Sequence, residues 1–154
     1  MSSEEETFRR LVVELRILEG TAEALQSRVN LVNAALTEFR VASMTLEGLE
    51  KEKKDAPLFV PIGGGSYIKA KLESADKVIV GMGADVAVER TIKEARENLG
   101  NRIAELEKTR TTLGQQFVQV VEKIRDDRAR LEELTAKLRE GERAESVRKT
   151  EKRA

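Results

Sequence analysis

Apolar residues recur at intervals of three and four along the first third of the chain, the spacing of one face of a helix. With Phe8 as heptad position a, every a and d position as far as Leu46 is apolar except Ser43. Such a pattern is typical of a coiled coil, and we predict a helix over 1–55 that stops before Pro57. The a positions are Phe8, Leu15, Ala22, Val29, Leu36 and Ser43, and the d positions are Leu11, Leu18, Leu25, Val32, Phe39 and Leu46.

A second heptad pattern predicts another coiled-coil helix over 91–139, opened by a capping box at Thr91 and Glu94. Arg110 and Asp127 are its polar members, of a kind that fixes the register of paired helices. An apolar strip this narrow is unstable alone in water, so we predict that the two helices, of nearly equal length, pack antiparallel. The a positions are Ile103, Arg110, Phe117, Ile124, Leu131 and Leu138, and the d positions are Leu99, Leu106, Leu113, Val120, Asp127 and Leu134.

The heptad pattern ends at the last part of the chain, residues 140–154. This part is highly charged, contains Gly141 and lacks an apolar stripe. We therefore predict a disordered charged tail.

The segment between the helices, residues 56–90, changes from helical spacing to the alternation of β-strands. A short apolar run at Leu58–Ile62 is followed by three glycines, and Tyr67–Leu72 then alternates between apolar and polar residues. Two further strand-like segments, Lys77–Val80 and Val86–Glu89, flank a glycine-containing turn. We predict two β-hairpins, and hence a mainly α fold: a long two-helix antiparallel coiled coil with two β-hairpins between the helices.

Two small hairpins without a covering layer are marginal in water, and their open edges can pair with other chains. We therefore expect 56–90 to be an oligomerisation section. Its candidate assembly core is Phe59, Val60, Ile62, Ile68, Val78, Val80, Val86 and Val88.

Composition narrows the chemistry that this chain could perform. It has no Cys and no His, which excludes thiolate nucleophiles, imidazole bases and nearly every zinc or haem site. Gly81 and Gly83 precede a predicted strand, whereas a dinucleotide-binding loop precedes a helix. We predict no catalytic, cofactor-binding or metal-binding residue and no enzymatic activity.

Charge and hydropathy point to a cytoplasmic protein. The 28 basic and 28 acidic residues balance, so we expect no binding to nucleic acid or to a membrane surface. No signal peptide and no long apolar span is visible in the sequence.

The middle segment closely resembles the linker of archaeal prefoldin α subunits. The resemblance rests on Pro61–Leu72 (PIGGGSYIKAKL) and Asp76–Glu89 (DKVIVGMGADVAVE), and the flanking heptad helices match that family as well. It implies a hexamer in which two α and four β subunits join through a central β-barrel made by their hairpins. The α type has two hairpins and the β type has one, so the resemblance is to the α type.

The resemblance also implies a function, that of an ATP-independent chaperone of the holdase type. Such a protein captures non-native proteins between the tips of its coiled coils and delivers them to a group II chaperonin. Group II chaperonin, prefoldin β-type subunits and non-native client proteins are therefore the expected partners.

Candidate client-binding residues lie at the free end of the predicted coiled coil, whose last turns fray for lack of neighbours. Val12, Val13 and Ile17 fall outside the a and d positions there and could form an exposed apolar patch. Leu31, Val41 and Met44 also lie outside those positions but far from that end. The residues that fraying would expose are Phe8, Leu11, Leu15, Leu131, Leu134 and Leu138, and the alternative is that all six are simply core.

A second function fits the same helices, that of a structural coiled-coil adaptor or scaffold subunit in a larger complex. It predicts one defined partner and no general affinity for unfolded chains, whereas the chaperone predicts suppression of client aggregation without nucleotide. An enzyme ranks well behind both, because no convergent set of polar residues is visible.

Overall fold

The computed structural model describes residues 2–154 and confirms the predicted fold class, with two long helices and two antiparallel β-hairpins between them. In chain order the elements are α1 (Ser3–Glu50), β1 (Pro57–Gly63), β2 (Ser66–Lys71), β3 (Lys77–Gly83), β4 (Val86–Thr91) and α2 (Ile92–Glu151). α1 therefore ends earlier than the predicted boundary at residue 55. The connection that follows is tied to the first hairpin, because the Asp55 amide donates to the Leu72 carbonyl at 2.8 Å.

Both helices begin with a side-chain cap. The Ser2 hydroxyl accepts a hydrogen bond of 3.2 Å from the Glu5 amide, and three acidic residues in the first turn of α1 suit the positive end of its dipole. At the start of α2 the Glu94 amide donates to the Thr91 hydroxyl at 3.1 Å. The Thr91 amide donates in return to the Glu94 carboxylate at 3.3 Å. The predicted capping box is thus confirmed by its two reciprocal bonds.

The prediction of a disordered tail at 140–154 is wrong, because α2 continues through it to Glu151. The reason is that extending an existing helix needs no new nucleus, and most residues there are good helix formers. Glu145 and Lys149, one turn apart, add an ion pair of 2.8 Å. With 60 residues in α2 and 48 in α1, the expectation of nearly equal helices is also wrong.

Each hairpin forms its own two-stranded sheet. β1 pairs with β2 from Pro57↔Lys71 to Gly63↔Ser66, and β3 pairs with β4 from Lys77↔Thr91 to Gly83↔Val86. Two-residue turns close both, and each central turn residue has positive φ, as tight hairpins require. Gly64 and Gly65 adopt this geometry freely in the first turn. Ala84 and Asp85 adopt it in the second at φ of 50° and 59°.

The chain divides into two compact units, the first containing the chain up to Leu31 together with Arg110–Ala154. Two ion pairs link its helices, Lys123 to Glu14 at 3.2 Å and Arg128 to Glu19 at 2.8 Å. Glu14 and Lys123 both occupy g positions, and Glu19 and Arg128 both occupy e positions. This is the pairing expected of antiparallel helices, in which g positions meet along one flank of the contact and e positions along the other. Its buried apolar core is Leu11, Leu15, Leu25, Leu113, Ile124 and Leu134.

The second unit contains Val32–Thr109, and so both hairpins. Its ion pairs, Arg40 to Glu107 at 2.7 Å and Arg96 to Glu50 at 2.6 Å, show that the helices run antiparallel here. Leu36, Ile92 and Ala95 are buried. Across both units every a and d position is buried or half-buried, so the heptad assignment is correct, and we refer to these positions as the seam.

Candidate interaction surfaces

The seam residues near the ends of the two helices are packed rather than splayed apart. We define the tip as residues 2–19 and 128–151, which belong to the first unit. Leu11, Leu15 and Leu134 are buried there, and Phe8, Leu131 and Leu138 are half-buried. All six pack along the seam in this structure, and a partner could reach the buried Leu11, Leu15 and Leu134 only if the tip opened.

Two apolar side chains on the outer face of α1 are open to solvent without any such change. Val13 is 59% exposed and Ile17 is 64% exposed, whereas the neighbouring Val12 is half-buried. Val13 and Ile17 lie one turn apart on a shallow groove of about 520 Å³, bordered by Arg9, Arg10, Glu14 and Leu18. The long apolar stems of the arginines extend this surface while their charged ends reach water. We call it the tip groove.

Other apolar residues outside the seam are exposed along the helices. Leu31, Val41 and Met44 of α1 are exposed, as their heptad positions predicted. Val118 and Val121 of α2 are exposed as well, and we did not predict them. Their heptad positions, b and e, lie outside the seam and could have predicted this exposure.

Most of the exposed large apolar side chains of the second unit lie on the hairpins. Of the eight predicted assembly residues, Val78, Val80 and Val88 are half-buried. Phe59, Val60, Ile62, Ile68 and Val86 are exposed, Phe59 by 70%. The structure adds Ile79, exposed by 75%, Tyr67 and Met82, which sequence reasoning missed.

Apolar residues occupy both faces of strand β3, where Val78 and Val80 alternate with Ile79. A strand with apolar side chains on both faces is typical of a sheet covered on both sides. Within residues 2–154 each hairpin pairs only with itself, so its outer edges are also open. Both features favour pairing with further chains.

One polar group lies inside the seam. Asp127 of α2 is 4% exposed, and its Oδ1 accepts a hydrogen bond of 2.9 Å from the Lys123 ammonium group. The same ammonium group lies 3.2 Å from Glu14 of α1. Hydrogen bonds to Asp127 and then to Glu14 raise the pKa of Lys123 above its ordinary value. Lys123 therefore joins the two helices by contacting the buried carboxylate of Asp127 and the half-buried Glu14.

Neither a membrane-spanning helix nor a metal site is found in the part of the chain that the structure describes. No helix there is both long and apolar enough to cross a membrane. No group of His, Cys, Asp and Glu side chains among residues 2–154 could hold a metal ion.

Comparison with known proteins gives the family. A model of the prefoldin subunit family matches residues 18–140. The chain belongs to the prefoldin family. Members of this family are subunits of chaperones. The prefoldin subunit alpha of Methanosarcina barkeri is 37% identical over 107 residues, covering 68% of this chain and 74% of the relative. The prefoldin subunit alpha of Methanobrevibacter smithii is 31% identical over 132 residues, covering 86% of this chain and 90% of the relative.

A solved prefoldin structure has the same fold. A chain of the filamentous prefoldin from Methanocaldococcus jannaschii superimposes with a TM-score of 0.65 at 26% sequence identity. The similarity covers 75% of this chain and 96% of that one. The family match begins at residue 18, just after Ile17. The apolar residues of the α1 tip from Phe8 to Ile17 thus lie outside it, and any role for them rests on their own exposure and packing.

Proposed function

We propose that the chain is the α-type subunit of an ATP-independent holdase chaperone, which captures non-native proteins at its coiled-coil tips and hands them to a group II chaperonin. The observation that carries the proposal is the tip groove. Val13 and Ile17 present an exposed apolar surface at the tip, bordered by the charged Arg9, Arg10 and Glu14. Such a surface suits unfolded chains, because apolar burial is non-directional and accepts many sequences.

Assembly is the second part of the proposal. We expect two copies of this chain to join four prefoldin β-type subunits in the cytoplasm. The open edges of the two hairpins and the exposed Phe59 and Ile79 support a shared β-structure, since strands of other chains would pair with the edges and cover these side chains. The numbers of each subunit follow from the family resemblance.

Several tips acting together would explain how shallow surfaces retain a client. Each groove alone offers only a few apolar side chains, so a single contact is weak. When one client touches several tips of the same assembly, later contacts form at high effective concentration. No nucleotide is needed in such a cycle. Release follows when the client folds or a chaperonin competes for it.

The experiment is an aggregation assay with the assembled complex and a chemically unfolded reporter enzyme, in the absence of nucleotide. The double variant Val13→Ser/Ile17→Ser should weaken capture by about tenfold through lost apolar contact. Its matched control is Leu31→Ser/Val41→Ser, at the same c and f heptad positions outside the tip, and it should suppress aggregation as the native chain does.

A second step tests the transfer. Adding a group II chaperonin and ATP should recover reporter activity from the captured state. Equal suppression by both double variants would refute capture at the tip groove. If the native complex suppressed no aggregation and bound one folded partner instead, the structural adaptor would be the better description.

A further inference from the structure

The buried Asp127 is poorly compensated. It occupies a d position, where its carboxylate is removed from water among apolar seam residues. Oδ1 accepts one bond from Lys123, and Oδ2 has no hydrogen-bond partner among residues 2–154. A buried charge without full pairing is unfavourable. Lys123 is itself half exposed, so water weakens its attraction to the carboxylate.

A glycine in α1 lies in the same stretch of the first unit. The ion pairs Glu14–Lys123 and Glu19–Arg128 place residues 14–19 of α1 alongside residues 123–128 of α2, and Gly20 follows directly. A Cβ added to Gly20 would have nothing within 4 Å, so close packing does not require glycine there. Glycine in a helix interior lowers its stability relative to alanine. Both helices are therefore weakened within the same two turns.

We propose that Gly20 and Asp127 form an opening point, at which the tip separates locally while the rest of the coiled coil stays paired. Opening there would free the parts of both helices that lie beyond it. These are α1 before Gly20 and α2 after Asp127, and they carry the buried Leu11, Leu15 and Leu134. Local opening of this kind occurs in the least stable parts of a fold. The further claim that the freed leucines enlarge the client-binding surface rests on the proposed function.

Hydrogen exchange of backbone amides in the assembled complex, followed by mass spectrometry, measures the opening directly. Peptides from 8–18 and 129–138 report on the tip, and peptides from 36–46 and 99–106 serve as the internal reference. In the native chain the tip should exchange faster than the reference. Asp127→Leu should slow exchange in the tip by about tenfold, because it replaces a poorly paired buried charge by an apolar seam residue.

A second variant, Gly20→Ala, tests the opening point without changing Asp127. Gly20→Ala should slow exchange in the tip by about fivefold through helix propensity alone. Its matched control is Gly48→Ala, at another helical position of α1 with open space around the added Cβ, and it should leave the tip unchanged. If neither Asp127→Leu nor Gly20→Ala slowed exchange in the tip, the opening point would be refuted.

Client binding is measured separately with reduced, carboxymethylated α-lactalbumin, which stays unfolded in buffer. Both variants should bind it several-fold more weakly than the native complex. Slower exchange with unchanged binding would overturn the link between opening and capture. A native complex that bound no unfolded chain would contradict the proposed function and that link, while the exchange measurement would still decide whether the opening point exists.

Discussion

Lys123 and Asp127, one turn apart on α2, form an ion pair of 2.9 Å in which the carboxylate side chain is only 6% exposed and the lysine side chain is 53% exposed. The lysine also approaches Glu14 of the other helix. Its ammonium group therefore holds the buried carboxylate and bridges the two helices of the first unit.

Replacing Lys123 by Met should destabilise the first unit, because it leaves a buried carboxylate without a cation. The expected effect is a fall of a few degrees in the midpoint of thermal unfolding, followed by circular dichroism. Lys137→Met is the matched control, since Lys137 occupies a g position two heptads further along α2 and has an exposed side chain. An equal fall in the midpoint for both variants would show that Lys123 does not stabilise the buried carboxylate of Asp127.

The same ion pair predicts a dependence of stability on alkaline pH. The pKa of Lys123 is raised above 10.5, mainly by its hydrogen bond to Asp127. Its contribution to stability is fully present below pH 10.5 and is lost as the pH rises through the raised pKa. The difference in thermal midpoint between the native chain and Lys123→Met should thus be constant up to that pH and shrink above it. A difference that grew with pH would contradict the assignment.

The exposed apolar residues of the hairpins are expected to hold the assembled complex together. Phe59→Ser removes the most exposed aromatic side chain of β1 and should release free subunits from the complex in native mass spectrometry, with helical content unchanged. Val118→Ser, an exposed apolar residue of α2, is the control and should leave the mass of the complex unaltered. The native complex should contain two copies of this chain and four of a smaller partner. A filament of this chain alone, a homodimer or a single unrelated partner would contradict that composition.

The last turns of α2 should contribute little to stability. Residues 139–154 are all exposed and have no seam position that packs. A chain ending at Glu140 should lose the helical signal of residues 141–151 and keep its thermal midpoint within about 1 °C, as expected where no buried contact is removed. A fall of several degrees would reveal a stabilising role that the exposed surface does not account for.

Heptad spacing predicted the seam well, because a and d positions record which side chains are buried. Leu36 and Leu113 are buried as expected, and even the polar Asp127 lies inside. Heptad spacing did not predict the structure beyond Arg139, because a missing apolar stripe indicates only that no side chain packs against a partner there. It does not report that the helix ends, and α2 continues by propagation from the turns before it.

The candidate surfaces were only partly predictable. Val13 and Ile17 lie outside the seam in the heptad pattern, and the structure exposes both. Ile79 was missed because alternation was used to select one face of β3, although its neighbours Val78 and Val80 make the whole strand apolar. The spacing of Lys123 and Asp127 is visible in the sequence, but the contact with Glu14 depends on how the two helices are aligned.

Capture of non-native proteins at the tip is tested most directly by site-specific photo-crosslinking to an unfolded client. A photoreactive amino acid is placed at Ile17 in one assembled complex and at Leu31, the same c position about 21 Å along the helix, in another. Strong crosslinks from position 17 and few from position 31 are the predicted result. Equal crosslinking from both positions, or crosslinks from position 31 alone, would contradict capture at the tip.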